Sequence, residues 1–392
     1  MRGSLVSRMR KKSHVEASCY DLAVQRLEKC YDYFDHIAVS FSGGKDSTAC
    51  LNIALDVARR RGRLPLHVYT FDEEAIPPET VEYMQRVSEN PEIKFDWFCL
   101  PVEHKNACSD KEPTWYCWHP DDRHKWCREL PPSAITHLDG FKHGMAIPDA
   151  APLVCGQSFG RVCMILGIRA QESLWRFRSI ACKPKHITDD CFLSSDSEHK
   201  WITKAYPIYD WDSEDVWRAP AIMGWDYNKA YDVMEKAGLT INQQRCAPPF
   251  GAQPIKGLAK FKTCWPELWA KMIGRVRGAA TAARYANTDL YGVAIKSLPE
   301  TYKSWRDMTM HMLDRVRESD RAEVAKAIAG YIGVHRSRTK EAMPDAEPHP
   351  VSGCCWKDVC AVAVIGSDKF GRQSQNALLK ASHARRKNGI FK

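Results

Sequence analysis

The run Ser40-Phe41-Ser42-Gly43-Gly44-Lys45-Asp46-Ser47-Thr48 combines glycines, hydroxyls and one cation between a short apolar stretch and a helical pattern. Glycines let backbone amides crowd around anionic oxygens, and the unpaired N–H groups and positive end of the helix that follows favour a phosphate or pyrophosphate group. Lys45 adds charge, and Ser42, Ser47 and Thr48 add hydroxyl donors. The run is not the longer Walker pattern with its Lys-Ser or Lys-Thr ending. Its bland alternative is an ordinary glycine turn carrying a solvated lysine.

Asp46 and Asp72 put carboxylates where phosphate is expected, and like charges there repel unless a cation or a proton intervenes. Mg²⁺ bridging phosphate oxygens resolves the conflict for an ATP substrate and makes both residues candidate metal ligands. Capping of helices or hydrogen bonding to loop amides is the competing role. A second candidate metal set, for zinc, is Cys108, Cys117, His119, His124 and Cys127. The residue types suit zinc, but the spacing does not match a usual closed site, and buried thiols beneath tryptophans explain it equally.

These residues need a frame. Residues 16–35 read as an amphipathic helix, His36 to Phe41 as a strand, Lys45 to about Arg60 as a helix, Leu66 to Phe71 as a strand, about Glu79 to Val87 as a helix, and Phe95 to Leu100 and Val162 to Ile168 as strands. Strand alternating with helix specifies an α/β fold, a mostly parallel sheet with helices on both faces, whose ligands bind outside the C-terminal strand ends. Ser42 to Ser47 and Asp72 fall at such ends. The expected organisation is a nucleotide-binding domain over 15–220 with a Trp/Cys/His-rich insertion at about 106–132, a helical region over 221–335, a polar and Pro-rich linker over 336–353, and a small Cys-containing element with a basic tail over 354–392. Asp212 is a candidate cap for a helix starting near Ser213.

Beyond the first loop, Gly167-Ile168-Arg169-Ala170-Gln171-Glu172-Ser173 with Arg176, and Tyr206-Pro207-Ile208-Tyr209-Asp210-Trp211 followed by Asp215-Val216-Trp217, occur in order. With these three segments the chain resembles the adenine-nucleotide alpha-hydrolase superfamily, in particular its phosphoadenosine-phosphosulfate reductase-like branch and the related PP-loop ATP pyrophosphatases, over about residues 20–220. The resemblance implies that Ser40, Ser42, Gly43, Gly44, Lys45, Asp46, Ser47 and Thr48 hold the phosphate end, that Thr70, Phe71 and Asp72 border the adenosine, and that Arg169 and Arg176 face the anionic end. Gly167, Glu172, Asp210 and Trp211 complete the implied pocket, with Glu172 expected to fix Arg169. Lys45, Asp46, Arg169 and Arg176 are the candidate catalytic residues. A C-terminal Glu-Cys-Gly thiol motif, which the reductases use, is not found. Cys354, Cys355 and Cys360 offer late thiols in another context, and the paired-cysteine arrangement of an iron-sulfur cluster is also not found, so no cluster is expected. Cys117-Trp118-His119-Pro120 and Cys355-Trp356-Lys357-Asp358-Val359-Cys360 resemble a mobile-element and regulatory-locus subgroup accompanied by a ParB-like protein, which makes such a protein the implied partner.

With 392 residues, 44% of them hydrophobic, the chain has apolar material for a substantial core. The sequence contains no apolar stretch of bilayer-spanning length and no secretion signal, which predicts a cytoplasmic protein with reduced cysteines. The formal charge of +9 suits anionic ligands, yet 48 acidic residues are dispersed among 57 basic ones. The expected function is Mg²⁺-dependent cleavage of ATP between the α and β phosphates with adenylyl transfer to an acceptor, catalysed by positioning and charge stabilisation. The alternatives are reduction of phosphoadenosine phosphosulfate or adenosine phosphosulfate, and a nucleotide-responsive or nucleic-acid-associated protein without turnover. The last rests on Arg275, Arg277, Arg284, Arg385, Arg386 and Lys387, for which a solvated surface is the competing account.

Overall fold

The computed structural model describes residues 15–365 except 110, 173–175, 178–179, 181–191, 197, 242, 252–256, 286–297 and 317. Ser173, Arg178, Arg385, Arg386 and Lys387 therefore lie outside the described residues. The chain divides into two compact units, Met1–Arg284 and Tyr285–Lys392.

The first unit is built on a seven-stranded sheet. Helix α1 (Cys19–Tyr33) starts where the Ser18 side chain accepts the Asp21 amide at 3.0 Å, satisfying one of the orphan donors of its first turn. Then follow β1 (His36–Ser40), α2 (Lys45–Arg60), β2 (Leu66–Phe71), α3 (Pro78–Ser88) and β3 (Ile93–Phe98), with the antiparallel pair β4 (Glu103–Lys105) and β5 (Thr114–Tyr116) forming a separate two-stranded piece. Strand β6 (Ala134–Ile135) is followed by β7 (Val162–Ile165), β8 (Leu193–Ser195) and β9 (Ile202–Ala205). The order is β6-β3-β2-β1-β7-β9-β8, all neighbours being parallel except β8 and β9. Val39 pairs with Val68 on one side and with Ile165 on the other, so β1 is central. All six residues of β2 and all four of β7 are buried, as strands covered on both faces must be. Helix α2 buries Ala49, Cys50, Leu51, Ile53, Ala54, Leu55, Val57 and Ala58, more than a single stripe.

The chain leaves β1 towards β2, β3 and β6, then crosses to β7 on the other side. That reversal puts a crevice at the C-terminal ends of β1 and β7, where a doubly wound sheet binds its ligand. After β9, α4 (Ser213–Met223) is capped by Asp212, whose carboxylate accepts the amides of Glu214 and Asp215 while Asp215 accepts the Asp212 amide. Helix α5 (Ala230–Lys236) and the helices Leu258–Cys264 and Pro266–Ile273 complete the described part of this unit apart from its last helical turns.

The turn after β2 is acidic and buried. Glu74, with no exposed side-chain surface, accepts the amides of Trp118 at 2.6 Å and Cys127 at 2.8 Å and is ion-paired with Arg275. Arg275 also donates to the Tyr116 carbonyl at 2.6 Å, so it is an internal cation rather than part of a basic surface. Arg277 pairs with Glu112 at 2.7 Å.

In the second unit, helices Trp305–Arg315, Glu318–Arg336 and Trp356–Ile365 pack around Val324, Ile328, Tyr331, Cys354, Val359 and Val362. Residues 336–353 are not a free linker. Ser352 Oγ lies 2.7 Å from His335 Nδ1, His349 Nε2 lies 2.7 Å from Glu341, and Asp345 accepts the Trp305 amide at 3.0 Å. Polar side chains that bond one another can line a packed segment, which composition alone reads as solvated. Among the described residues no helix is long and apolar enough to cross a membrane.

Removing one partner of a fully buried ion pair leaves the other charge uncompensated, at a cost of about 3–5 kcal/mol. Arg275→Met is therefore expected to lower unfolding free energy by about that amount in urea titrations, and Glu74→Gln combined with Arg275→Met to recover part of it.

Candidate functional site

The loop Ser42-Gly43-Gly44 sits at the crevice and is fixed from three directions. Gly43 has φ +69°, and a Cβ there would stand 2.9 Å from Thr80 Cγ2. Its carbonyl accepts Asn228 Nδ2 at 2.9 Å, and the same amide group donates to Thr80 Oγ1 at 2.8 Å. The Lys45 amide, first of the helix N-terminus, donates to the Tyr231 hydroxyl at 2.8 Å. Ser47 Oγ and Thr48 Oγ1 both donate to the Gly44 carbonyl, at 2.9 and 3.0 Å, and Ser42 Oγ lies 3.2 Å from Ser47 Oγ. Ser40 closes β1 half-buried.

From the far side of the crevice Gly167 meets the loop backbone directly. A Cβ on Gly167 would stand 2.7 Å from the Asp46 carbonyl carbon and 2.8 Å from the Ser47 nitrogen. Two residues on, Arg169 donates through Nε to Asp46 at 2.5 Å and through Nη1 to the Trp211 carbonyl at 3.4 Å. Lys45 Nζ lies 3.3 Å from the other Asp46 oxygen. The carboxylate of Asp46 is thus bridged by two cations belonging to the chain itself.

Glu172 pairs with Arg176, and touches Arg169 only at its backbone amide, at 3.5 Å. The expectation that Glu172 orients the Arg169 guanidinium is thereby corrected: Asp46 does so. Burial together with the nearby guanidinium groups of Arg245 and Arg169 lowers the pKa of Arg176, while Asp46 opposes the shift. Three arginines thus share one electrostatic neighbourhood.

The crevice opens into a cleft of about 690 Å³, whose walls include Ser42, Gly44, Lys45, Asp46, Arg169 and Glu172. Glu73, Gln171, Asp212, Tyr231, Gln244, Arg245 and Cys246 line it too, and sequence reading missed most of these. The Gln244-Arg245-Cys246 segment carries no motif spacing, and nothing short of the tertiary contacts could bring it to the loop. The Cys246 thiol is buried, its Sγ accepting from Asn228 Nδ2 at 3.4 Å. Burial pushes it up to about 11, with Tyr231, Thr80 and Lys45 pulling down. Burial beside Asp72 pushes Glu73 up to about 7.

Other expected residues stand in structural bonds. Asp72 is fully buried, held by Arg128 at 2.5 Å, by Trp97 Nε1 at 2.7 Å and by the Glu74 amide at 2.8 Å. Thr70 and Phe71 are buried beside it, Thr70 Oγ1 having no hydrogen-bond partner among the described residues. Asp210 pairs with Arg26 at 2.6 Å, and Trp211 is buried with Nε1 donating to the Cys19 carbonyl.

The five candidate zinc ligands are not gathered. Cys117 Sγ faces the backbone carbonyls of Leu100, Asp72 and Val102, Cys127 Sγ lies 2.9 Å from Met272 Sδ, and Cys108 is buried next to Gly278. His119 caps a 3-10 turn through the Asp121 amide, and His124 is exposed. Cys354, Cys355 and Cys360 are buried within the second unit.

A glycine-cradled helix N-terminus, two cations on Asp46 and a crevice at the sheet's reversal define an adenine-nucleotide-binding α/β protein of the alpha-hydrolase kind. The chain belongs to the phosphoadenosine phosphosulfate reductase domain family, whose model matches residues 36–234. A domain of unknown function (DUF3440) matches residues 238–337. The uncharacterized protein YbdN of Escherichia coli (strain K12) is 29% identical over 392 residues, covering 95% of this chain and 94% of that one. Among solved structures, phosphoadenylyl-sulfate reductase from Candida auris, as a phosphate complex, is 14% identical, covering 57% of this chain and 94% of that one, with a TM-score of 0.32. FMN adenylyltransferase from Candida glabrata is 11% identical, with a TM-score of 0.33 over 56% of this chain. The match spans 62% of that enzyme's length. The ParB-like partner finds no support among these relatives.

Two outcomes are expected. Gly167→Ala drives a methyl group into the loop backbone, so it should cost about 1–3 kcal/mol in denaturant titration and weaken nucleotide binding by calorimetry. Glu73 is neutral below about 7 and negative above it. Relative to Glu73→Gln, which cancels the ligand's own titration, wild-type affinity for inorganic pyrophosphate should therefore fall roughly three- to tenfold as pH rises through that value.

Proposed function

We propose that the cleft takes a sulfated adenine nucleotide, phosphoadenosine phosphosulfate or adenosine phosphosulfate, and that Cys246 is the thiol receiving its sulfonate. The observation carrying this reading is a buried thiol in the cleft wall beside the loop, in a chain of the reductase domain family. In this reading the loop amides, Ser42, Lys45 and Arg169 bind the phosphate end, and Arg176 and Arg245 offset the remaining negative charge. Asp46 needs no added cation to sit beside an anion, because Lys45 and Arg169 already balance it. The Cys246 sulfur, after giving its proton to solvent in the cleft, attacks the sulfate sulfur. The S–O bond to the phosphate breaks, the adenosine phosphate leaves, and an S-sulfonated Cys246 remains. An external dithiol then releases sulfite and is oxidised to its disulfide, returning Cys246 as a thiol.

Mg²⁺-dependent cleavage of ATP with adenylyl transfer is the second reading. The carboxylates of Glu73 and Glu214 at the cleft favour it, being oxygen ligands of the kind Mg²⁺ takes. In that case Asp46 would have to exchange Arg169 for the ion.

Purified protein incubated with each sulfated nucleotide and a dithiol, or with ATP and Mg²⁺, separates the two. Sulfite release and a sulfonate trapped on Cys246 by site-resolved mass spectrometry are expected. Cys246→Ser should abolish both while nucleotide affinity stays at the wild-type level, and Lys45→Ala should weaken binding itself. Because burial pushes the thiol up to about 11, the rate of Cys246 alkylation should climb with pH about tenfold per unit below that value. Pyrophosphate and an adenylyl product from ATP, with no reaction of the sulfated nucleotides, would establish the second reading instead.

A further inference from the structure

At the opposite end of the sheet from the cleft, three groups converge that the proposed chemistry does not use. His36 opens β1, His67 is the second residue of β2, and Cys155 follows the short 3-10 turn Ala151–Val154. One ligand atom from each lies within 4.8 Å of the others, the one such group of three among the described residues. His36 Nε2 is 2.8 Å from His67 Nδ1, and Cys155 Sγ is 3.9 Å from that same nitrogen. His67 and Cys155 are buried and His36 is half-buried.

We propose that His36, His67 and Cys155 form a binding site for one zinc-class divalent cation, through His36 Nε2, His67 Nδ1 and Cys155 Sγ, at the N-terminal edge of the sheet. The tautomer of His67 is already the one a metal requires. Its Nε2 lies 2.9 Å from a carboxylate oxygen of Asp96, which can only accept, so Nε2 carries the proton and Nδ1 turns a lone pair towards the other two ligands. A carboxylate behind a histidine is the usual second layer of a zinc site, fixing the ring and raising its basicity. Tetrahedral zinc holds nitrogen at about 2.0–2.1 Å and sulfur at about 2.3 Å, which requires neighbouring ligand atoms about 3.3–3.6 Å apart. The spacings of 2.8 and 3.9 Å straddle that range, so binding needs the His36 ring to withdraw slightly, its bridging proton to move from Nε2 to Nδ1, and the Cys155 thiol to approach and release its proton to solvent.

The Cys155 backbone is anchored by Trp201 Nε1, which donates to its carbonyl at 3.0 Å, and the Phe159 ring stands 4.4 Å from that of His36. A cavity of about 300 Å³, walled by His36, His67, Tyr31, Arg63 and Leu64, opens beside the histidines. It provides a route in and room for a fourth, water ligand. The positive charges of Lys94 and Arg63 act on His36 and oppose a cation, whereas Asp96 favours it. Two histidines and a thiolate also select zinc over Mg²⁺ or Ca²⁺, which prefer oxygen.

The full chain, stripped of metal under reducing conditions, should bind one Co²⁺ with tetrahedral d–d bands and a thiolate-to-cobalt charge-transfer band, and one Zn²⁺ should displace it. Cys155→Ala should remove the charge-transfer band. Asp96→Asn should keep the band but weaken zinc about 10- to 100-fold in competition with a chromophoric chelator, a loss that a merely structural cysteine does not explain. Cys246→Ser, in the cleft, should change neither measurement. Should Cys155→Ala not fold, His67→Gln with an intact circular dichroism spectrum replaces it, and it should abolish the tetrahedral spectrum. A wild-type chain that gives no tetrahedral cobalt spectrum overturns the site, as does a charge-transfer band that survives in Cys155→Ala.

Discussion

Two carboxylates without solvent exposure, Asp72 and Glu74, stand at the end of β2, and much of the first unit is arranged around keeping them paired. An isolated buried carboxylate is far costlier than any surface charge, so each must collect cations and N–H donors from elsewhere in the chain. Asp72 takes Arg128 and Trp97. Glu74 takes Arg275 and the amides of Trp118 and Cys127. The insertion after β3 is thereby tied to the sheet, and the helical segment around Arg275 is tied to the insertion. Glu74 and Trp118 are also the two non-glycine residues with left-handed backbone among the described residues, at φ +57° and +51°, and they are bonded to each other. A cost of about 1–3 kcal/mol for each persists only where surrounding bonds over-determine the conformation.

That arrangement frees the next strand end for ligand. With Asp72 engaged inwards, Glu73 is the member of the acidic turn that lines the cleft. At the reversal point the walls come from β1, from the chain after β7, and from the Asn228 to Cys246 stretch that reaches back to hold the loop. Gly167 allows two backbones to touch, and Arg169 carries the charge that this contact brings next to Asp46. Loop shape and loop charge are therefore set by the same crossing. The cations that permit a carboxylate beside a phosphate are part of the fold.

The cysteines follow two patterns. Those described are free thiols, most of them buried, and burial raises the pKa of Cys50, Cys99 and Cys127 without giving them any reacting partner. Cys246 and Cys155 differ because each stands beside groups able to use it: Cys246 lines the cleft with the loop and its cations, and Cys155 meets two histidines. Sequence spacing favoured other cysteines. The cluster from Cys108 to Cys127 is close along the chain, but its side chains serve the packing of the insertion against backbone carbonyls and Met272.

By itself the sequence determined the local order. Alternating β-branched strands and amphipathic helices specified β1, α2, β2 and α3 nearly to the residue, and Gly43-Gly44 before Lys45 specified an anion cradle, because strand, turn and helix-start signals act within a few residues. Tertiary structure decided what short-range signals do not encode. The partner of Asp46 lies 123 residues away, Tyr231 lies 186 residues from the amide it accepts, and the Asp72 carboxylate meets Arg128 rather than the cleft. Which charge neutralises which, and which thiol or histidine faces a cavity, follows from the crossing of β7 over the far side of β1. That crossing joins residues far apart in the chain, and no motif of fixed spacing records it.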